Sequence, residues 1–379
     1  MPGAFDFRAR TRIVFGDGAL ARLGELVRAL GARRVVLVSD PGLAAAGHVA
    51  RAQAVLEGAG CEAAVWTETR EDPDARCAAR CAEVLRARPH ELVVALGGGS
   101  AIDTAKGGAI LAANGGRMQD YWGYGKTRAP LAPLVAVPTT AGTGSEVQSF
   151  ALIADEETGQ KMACGADDVA PRVALLDPEL TLTCPPLVTA CAGLDALGHA
   201  LETAVTTRRN PLSELLSREA FRRLARGFQG VQARADDRAA RGELLLGATW
   251  AGLAIEHSML GAAHALANPL SARLGLAHGL AVGLALPLVV RLNGRRPAEA
   301  AIYAALARDA GLAPVELDDA AALARLLAFL ARAQEAAESA RAEARTALRD
   351  ADLEALAEEA SRQWTGQFNP TPLDRAGFA

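Results

Sequence analysis

Two periodicities of apolar and polar residues divide the chain. Residues 12 to 15 form a short apolar run, a Gly-Asp-Gly turn follows, and Leu20, Leu23, Val27 and Leu30 then recur on one face of a predicted helix. RRVVLVSD, residues 33 to 40, reads as a buried strand ending in Asp40. HVARAQAVLEGAG is a second helix, CEAAVWTE a strand, and an Ala/Leu-rich helix runs through residue 87. ELVVALGGGSAIDTAKGGAILAAN repeats the order strand, glycine turn, helix, and the β pattern continues through LAPLVAVPTTAGTGSEV and RVALLDPEL. Such βαβα alternation predicts a parallel, doubly wound sheet. From residue 185 to about 362 the pattern is helical with few breaks. The change falls at Cys184-Pro185-Pro186, so the expected organisation is an α/β domain over residues 1–184 and an all-α domain over 185–379.

Composition agrees with two domains: 379 residues, 50% hydrophobic, can bury a large core and exceed the usual size of one domain. The formal net charge of -4, with both signs interspersed, leaves no basic stripe for nucleic acid. No apolar run reaches the roughly eighteen residues of a membrane span, and MPGAFDFRARTRIVFG lacks the charged-then-apolar order of a secretion signal. The expectation is a soluble cytoplasmic protein that uses neither nucleic acid nor membrane as a partner. Cys61, Cys77, Cys81, Cys164, Cys184 and Cys191 are scattered and read as reduced, mostly structural thiols. Lysine occurs at residues 106, 126 and 161 only, against arginine elsewhere, which invites a reason at each position.

Candidate chemistry concentrates in three stretches. In GLDALGHALE, residues 193 to 202, Asp195 and His199 are four positions apart and share one face of the predicted helix. His264 and His278 lie downstream in Ala/Gly/Leu-rich surroundings, where a buried imidazole needs a partner, so Asp195, His199, His264 and His278 form a candidate metal site. In GGGSAIDTAK, Gly97, Gly98 and Gly99 come directly off an apolar strand and let backbone N–H groups approach a phosphate at the next helix N-terminus. Ser100 with Asp103 three residues on is a capping-box pattern for that helix. The run matches neither G-x-G-x-x-G nor the Walker pattern, which argues against a standard Rossmann fingerprint and against an NTPase. PTTAGTGSE, residues 138 to 146, supplies hydroxyls after another strand, a suitable polar wall for a nucleotide.

GGGSAIDTAKG, VPTTAGTGSEV, GLDALGHALE and the GxxHAxxxPL...HG stretch, in this order and spacing, resemble the iron-containing (group III) alcohol dehydrogenase family, from about residue 10 to the FNP near Asn369. The resemblance implies an N-terminal α/β nucleotide-binding domain and a C-terminal helical domain, the dehydroquinate synthase-like architecture, with metal and active site in the cleft between. It makes Asp195, His199, His264 and His278 the metal ligands and Gly97, Gly98, Gly99, Ser100 and Asp103 part of the cofactor site. Thr139, Thr140, Thr143, Ser145 and Phe150 would line the adenosine and nicotinamide sites. Lys161 resembles the family lysine that contacts a cofactor ribose. Asp40 matches the acidic residue that accepts from ribose hydroxyls, so a 2′-phosphate there would meet like charge and NAD(H) is favoured over NADP(H).

The expected activity is hydride transfer between NAD(H) and a small alcohol or aldehyde. Imidazole and carboxylate ligands suit both Fe(II) and Zn(II), and iron enters only through the resemblance. One departure concerns the proton. The family commonly carries a histidine four residues after the third ligand, and this chain has Asn268, which does not exchange a proton near neutral pH. Water, a cofactor ribose hydroxyl or His257 could substitute, or Asn268 could hold a polar substrate group. Gln148, Phe150, Trp250, His257 and Trp364 are candidates for the substrate wall. Three other readings stand beside this one. Maleylacetate reductases share the fold and glycine loop but are described as metal-independent, which the four ligand types argue against. Dehydroquinate synthases, which are lyases, would need more Lys/Arg/His phosphate contacts. A catalytically idle nucleotide-binding relative is permitted by Asn268. The N-terminal strand near Arg12 to Phe15 could pair with its copy, giving an expected homodimer.

Overall fold

The computed structural model describes residues 5–349 and 351–378. The first four residues, where the secretion-signal reading starts, and the final residue of the expected second domain lie outside the described residues. The strands are β1 (Arg12–Phe15), β2 (Arg34–Val38), β3 (Glu62–Trp66), β4 (Leu92–Gly97), β5 (Gly123–Tyr124), β6 (Leu134–Pro138), β7 (Phe150–Ala154), β8 (Lys161–Gly165) and β9 (Val173–Leu176). The helices between them are α1 (Leu23–Ala29), α2 (Pro41–Ala45), α3 (His48–Gly58), α4 (Ala75–Ala87) and α5 (Gly99–Asn114).

One parallel sheet has the order β1-β9-β6-β4-β2-β3. β4 is buried at every position, as a central strand covered on both faces must be, which is why its sequence reads as a continuous apolar run. From β2 the chain steps outward to β3 and then returns to β4 on the opposite side of β2. The order therefore reverses between β2 and β4, and a doubly wound sheet opens a crevice at the carboxyl ends of such a pair. The predicted run of strands and helices matches this sheet, with one difference at Leu30. It closes α1 as C-cap and is 37% exposed, because a 3₁₀ turn at Ala19–Arg22 precedes the seven-residue helix and shifts its face.

A second, small sheet, β5-β8-β7, was not foreseen from the sequence pattern. β7 and β8 form an antiparallel hairpin whose turn is organised by Asp155, which accepts hydrogen bonds from Thr158 N–H at 2.8 Å and Thr158 Oγ1–H at 2.9 Å. The Gln119 amide adds a further bond to the other carboxylate oxygen at 2.8 Å; this bond, with those of Thr158, holds the Asp155 carboxyl down at about 2.

The remaining chain is helical: α6 (Pro186–Val205), α7 (Pro211–Ala233), α8 (Arg238–His257), α9 (Ala262–Leu274), α10 (His278–Asn293), α11 (Pro297–Asp309), α12 (Asp319–Glu335), α13 (Glu338–Arg349), α14 (Leu353–Ser361) and α15 (Arg375–Phe378). Pro186 and Pro211 occupy first-turn positions, where a missing N–H costs nothing, and Asn210 caps α7 through Leu212 and Ser213 N–H. Leu194, Leu197, Phe221, Phe228, Leu244, Tyr303 and Phe329 belong to one buried cluster in this half. By internal packing the chain forms two compact units. One comprises Arg8–Thr140 with Ser145–Cys184; the other comprises the chain from Pro185 onward, with Ala141–Gly144 and a segment ending at Phe7. The six cysteines are free thiols, and no helix among the described residues is long and apolar enough to cross a membrane.

Candidate functional site

In the α/β unit the glycine turn leaves β4 at Gly97, whose φ of 154° lies in the region that favours glycine. A Cβ on Gly97 would come within 2.6 Å of Ala101 Cβ and 3.4 Å of Asp40 Oδ2. Asp40 itself caps α2, accepting from Leu43 N–H at 2.9 Å, so its carboxylate is held at the crevice where the strand order reverses. Thr139 N–H donates to the Gly97 carbonyl at 3.0 Å, and Thr140 Oγ1 lies 3.2 Å from the position a Gly98 Cβ would take. Asp40, Gly97, Gly98, Thr139 and Thr140 are thus gathered at the carboxyl ends of neighbouring strands. Gly98 is the N-cap of α5 and supplies no side chain, so the first N–H groups of that helix face outward without an internal cap, the arrangement that binds phosphate.

The expected capping box is not formed. Ser100 lies inside α5 rather than at its N-cap, and its Oγ accepts from Asp72 N–H at 3.3 Å. Asp103 turns into the interior, where it accepts from Ser145 Oγ at 2.6 Å and faces Lys106 Nζ at 3.9 Å. Lys106 is 1% exposed and donates to Ser145 Oγ and to the carbonyls of Ser145, Gln148 and Phe150 at 2.6 to 2.9 Å. Burial pushes the Asp103 carboxyl up, with Lys106 and the Ser145 hydroxyl opposing it. Lys106 therefore nails the 145–150 segment to α5, which is the structural reason for lysine at that position: a compact ammonium reaches four oxygens at once. Lys161 donates to Asp72 Oδ1 at 2.8 Å. Asp72 is, among the described residues, the non-glycine residue with positive φ, at 46°, and its N–H on Ser100 brings the pair beside the start of α5. Phe150 packs its ring against Tyr124, centroids 5.5 Å apart, while Thr143 sits in the short segment that packs with the helical unit.

In the helical unit, Asp195 and His199 lie on α6, His264 in the first turn of α9 and His278 at the first position of α10. α10 approaches α6 so closely that a Cβ on Gly279 would fall 2.0 Å from the Cys191 carbonyl oxygen. Only glycine next to His278 permits that contact. The three imidazole Nε2 atoms then converge on one oxygen, Asp195 Oδ1, at 3.5 Å from His199, 3.4 Å from His264 and 3.6 Å from His278. These separations are too long for good hydrogen bonds. They match the roughly 3 to 3.5 Å expected between neighbouring ligand atoms that share one ion at ~2.1 Å. Asp195 Oδ1 and His264 Nε2 are buried and have no hydrogen-bond partner, so a cation between them satisfies atoms that burial would otherwise penalise. The chemistry of the donor set, one carboxylate and three imidazoles, fits Fe(II) or Zn(II).

The imidazoles are oriented from behind. His199 Nδ1 lies 3.2 Å from the Gly142 carbonyl, and His264 Nδ1 lies 2.5 Å from Glu202 Oε2. Glu202 is 2% exposed, and its other oxygen accepts from Ala263 N–H at 2.6 Å. It serves as the N-terminal cap that α9 lacks, because Gly261 at the N-cap has no side chain. Burial alone would depress His264, but Glu202 and Asp195 outweigh it and hold that imidazole up at about 9. His199, more dominated by burial, is lowered. Glu202 was missed from the sequence, although Asp195, His199 and Glu202 fall at i, i+4 and i+7 on one helical face.

Asn268, one turn beyond His264, donates from Nδ2 to Gln363 Oε1 at 2.9 Å. His257, at the C-terminal end of α8, stacks edge-on against Phe7 with centroids 5.1 Å apart, and its carbonyl accepts from Asn210 Nδ2. Of the substrate-wall candidates, Gln148 and Phe150 belong to the α/β unit, and Trp250, His257 and Trp364 to the helical one. Trp364 is 41% exposed and lies edge-on to Phe368.

Replacing Lys106 by Met is expected to cost about 3 kcal/mol of unfolding free energy at about pH 8. The loss should shrink at about pH 5, because a buried carboxyl deprived of its cation takes up a proton and so avoids the charge. Urea unfolding at the two pH values measures both. A loss under about 1 kcal/mol at about pH 8 would remove the anchoring role from Lys106.

Comparison with known proteins extends the geometry to a family. The model described as "Iron-containing alcohol dehydrogenase" matches residues 10–178, and "Fe-containing alcohol dehydrogenase family, C-terminal" matches residues 189–378. The chain is 35% identical to alcohol dehydrogenase 4 of Saccharomyces cerevisiae over 75% of this chain and 74% of that protein. It is 30% identical to the NAD-dependent methanol dehydrogenase of Bacillus methanolicus over 94% of this chain and 93% of that one. Among solved structures it superposes on a 1,3-propanediol oxidoreductase with TM-score 0.91 at 29% identity, covering 99% of this chain and 98% of that one. The sulfoacetaldehyde reductase of Bifidobacterium kashiwanohense in complex with NAD+ gives TM-score 0.85 at 26% identity, covering 99% and 97% of the two chains. With two family models spanning both halves, and Asp195, His199, His264 and His278 converging where that family's motifs lie, the chain belongs to the iron-containing alcohol dehydrogenase family, oxidoreductases acting on CH–OH groups.

Proposed function

We propose that this protein is a metal-dependent, NAD(H)-linked alcohol dehydrogenase and aldehyde reductase acting on a small alcohol or aldehyde. The observation that carries this reading is the convergence of His199, His264 and His278 Nε2 on the buried Asp195 Oδ1. It favours a metal-dependent enzyme over a metal-independent reductase, for which three inward imidazoles would have no purpose. Fe(II) is the proposed ion, on the family relationship, and Zn(II) the alternative. A divalent ion held there supplies Lewis-acid polarisation of the substrate oxygen, and the nicotinamide supplies the hydride acceptor or donor.

The chain's own groups have separable tasks. Glu202 fixes the His264 tautomer by accepting from Nδ1–H, leaving Nε2 as the ligand atom, and the Gly142 carbonyl does the same for His199. Gly97, Gly98, Gly99 and Ser100, at the open start of α5, bind the pyrophosphate; Asp40 accepts from a ribose hydroxyl; Lys161 contacts a ribose; and Thr139, Thr140, Thr143, Ser145 and Phe150 line the rest of the cofactor. Asp103 supports this site from inside, through Ser145 and Lys106. The similarity to an NAD-dependent methanol dehydrogenase and to a sulfoacetaldehyde reductase solved in complex with NAD+ supports NAD(H) as the cofactor. Asn268 holds a polar substrate group or a water and carries no proton, its own amide being steadied by Gln363. His257 is the titratable side chain proposed for the proton.

β1 is the end strand of its sheet and leaves Phe15 44% exposed. We propose that this edge pairs with its copy in a homodimer. Light scattering after size exclusion should give twice the 39.3 kDa chain mass, and a monomer at micromolar concentration would rule the pairing out.

His264→Ala should retain the fold by circular dichroism but lose stoichiometric metal, with turnover down by orders of magnitude; chelation of the unmodified enzyme should act in the same direction. Full turnover with stoichiometric metal in that variant would end the ligand assignment. For the cofactor, NADH should be preferred to NADPH because Asp40 and a 2′-phosphate repel in a partly dry crevice. Asp40→Gly should narrow the preference, and glycine costs only a few tenths of a kcal/mol at the N-cap of α2. Equal use of the two cofactors by the unmodified protein would refute the role.

A further inference from the structure

The segment 363–371 follows α14 and lies outside the proposed ligand set, yet it touches the chain just after α6, the C-terminal end of α10 and the space beside Gly261 at the start of α9. The Phe368 carbonyl accepts from Thr207 N–H at 2.9 Å and Thr206 Oγ1 at 3.2 Å, immediately after α6. Asn369 forms a reciprocal amide pair with Asn293, the last residue of α10, with both hydrogen bonds at 2.9 Å. Both side chains are buried, and the second donor of Asn369 Nδ2 is used by the Thr371 carbonyl at 2.7 Å. Every donor and acceptor direction that fixes the Asn369 amide plane is therefore engaged. Its Oδ1 is presented to Gly261, where a Cβ would lie 3.1 Å from that oxygen and 3.0 Å from Glu202 Oε1. The Glu202 carboxylate and the Asn369 amide oxygen thus close the same face of Gly261, the one a side chain would occupy. Gly261 also begins α9, the helix that carries His264, and Glu202 holds both Ala263 N–H and His264 Nδ1. One turn further along α9, Gln363 of the same segment holds Asn268.

We propose that Asn369 is a positioning residue for the metal centre: locked by Asn293, its Oδ1 closes one face of Gly261 beside Glu202 Oε1, and so keeps the start of α9 and His264 in place. The idea rests on the metal-centre reading above. Neither amide touches a ligand. The effect passes through backbone position, because the space on that face of Gly261 admits no side chain and, with the Asn369 amide removed, the glycine backbone is free to shift into it. Support of this kind behind a ligating imidazole typically changes metal affinity by about ten- to a hundredfold.

The test uses Zn(II) as the probe, competed against a chromogenic chelator on the full-length apoprotein. Asn293→Leu/Asn369→Leu removes both partners together and so leaves no buried amide unpaired. Its Zn(II) dissociation constant should rise about ten- to a hundredfold relative to the unmodified protein. Adding Glu202→Gln to that pair should weaken binding no further than Glu202→Gln alone, because the amides act through Glu202. A structural role unrelated to the metal would move urea stability and leave this coupling at zero. Unchanged Zn(II) affinity in the folded pair variant overturns the proposal, as do fully additive losses. Should the pair variant fail to fold, Asn369→Ser gives the same comparison, with the same expected and overturning results. Failure of the unmodified protein to bind stoichiometric Zn(II) or Fe(II) would instead remove the metal-centre reading, and the proposal with it.

Discussion

A single buried oxygen, Asp195 Oδ1, sets the terms for the helical unit. It is sealed from water with three imidazole nitrogens at 3.4 to 3.6 Å and no hydrogen bond of its own. A carboxylate in such a place is expensive unless compensated, and the imidazoles outweigh burial and hold its pKa far below the ordinary carboxylate range. Glu202, a second buried carboxylate, faces the same helix pair from behind. Two acids and three histidines in a low-dielectric interior form a balanced set only if all keep their positions, so helix packing in this unit is bound to the site.

The packing shows that dependence. α10 meets α6 through Gly279 with no room for a side chain, which is what brings His278 to the same oxygen as His199. α9 starts on a glycine and borrows its cap from α6 through Glu202. An ordinary helix would carry its own N-cap; here the cap is shared with the orientation of the His264 imidazole, so the start of the helix and the placing of that ring are one structural decision.

The α/β unit works by a different principle. Its chemistry is presented by backbone, with N–H groups at the start of α5 and glycines that clear space at the crevice between β2 and β4. Side chains act mainly beneath that surface. Lys106 and Asp103 are buried and fasten the 145–150 segment, while Asp72, in a strained conformation, holds Lys161 beside the glycine turn.

The sequence by itself determined the α/β-then-α order and the parallel sheet, and it singled out Asp195 and His199 as a pair, because apolar periodicity, glycine after a strand and an i,i+4 acid/histidine spacing are local signals. It also held Glu202 in plain view, three residues after His199, but an acidic residue on a helix usually means a solvated face, and only packing shows this one buried. The expected capping box failed for the opposite reason. Ser100 and Asp103 have the right spacing, but Gly98 starts the helix and the interior offers Asp103 a stronger partner in Lys106. The β7–β8 hairpin escaped because β8 is buried at four of its five positions and so lacks the alternation that marks a half-buried hairpin strand. Which histidine meets which carboxylate, what holds His264, and why Asn369 lies against the support of a site more than a hundred residues earlier in the chain are long-range facts. They follow from helix approach distances of a few ångströms, and only the tertiary structure sets those.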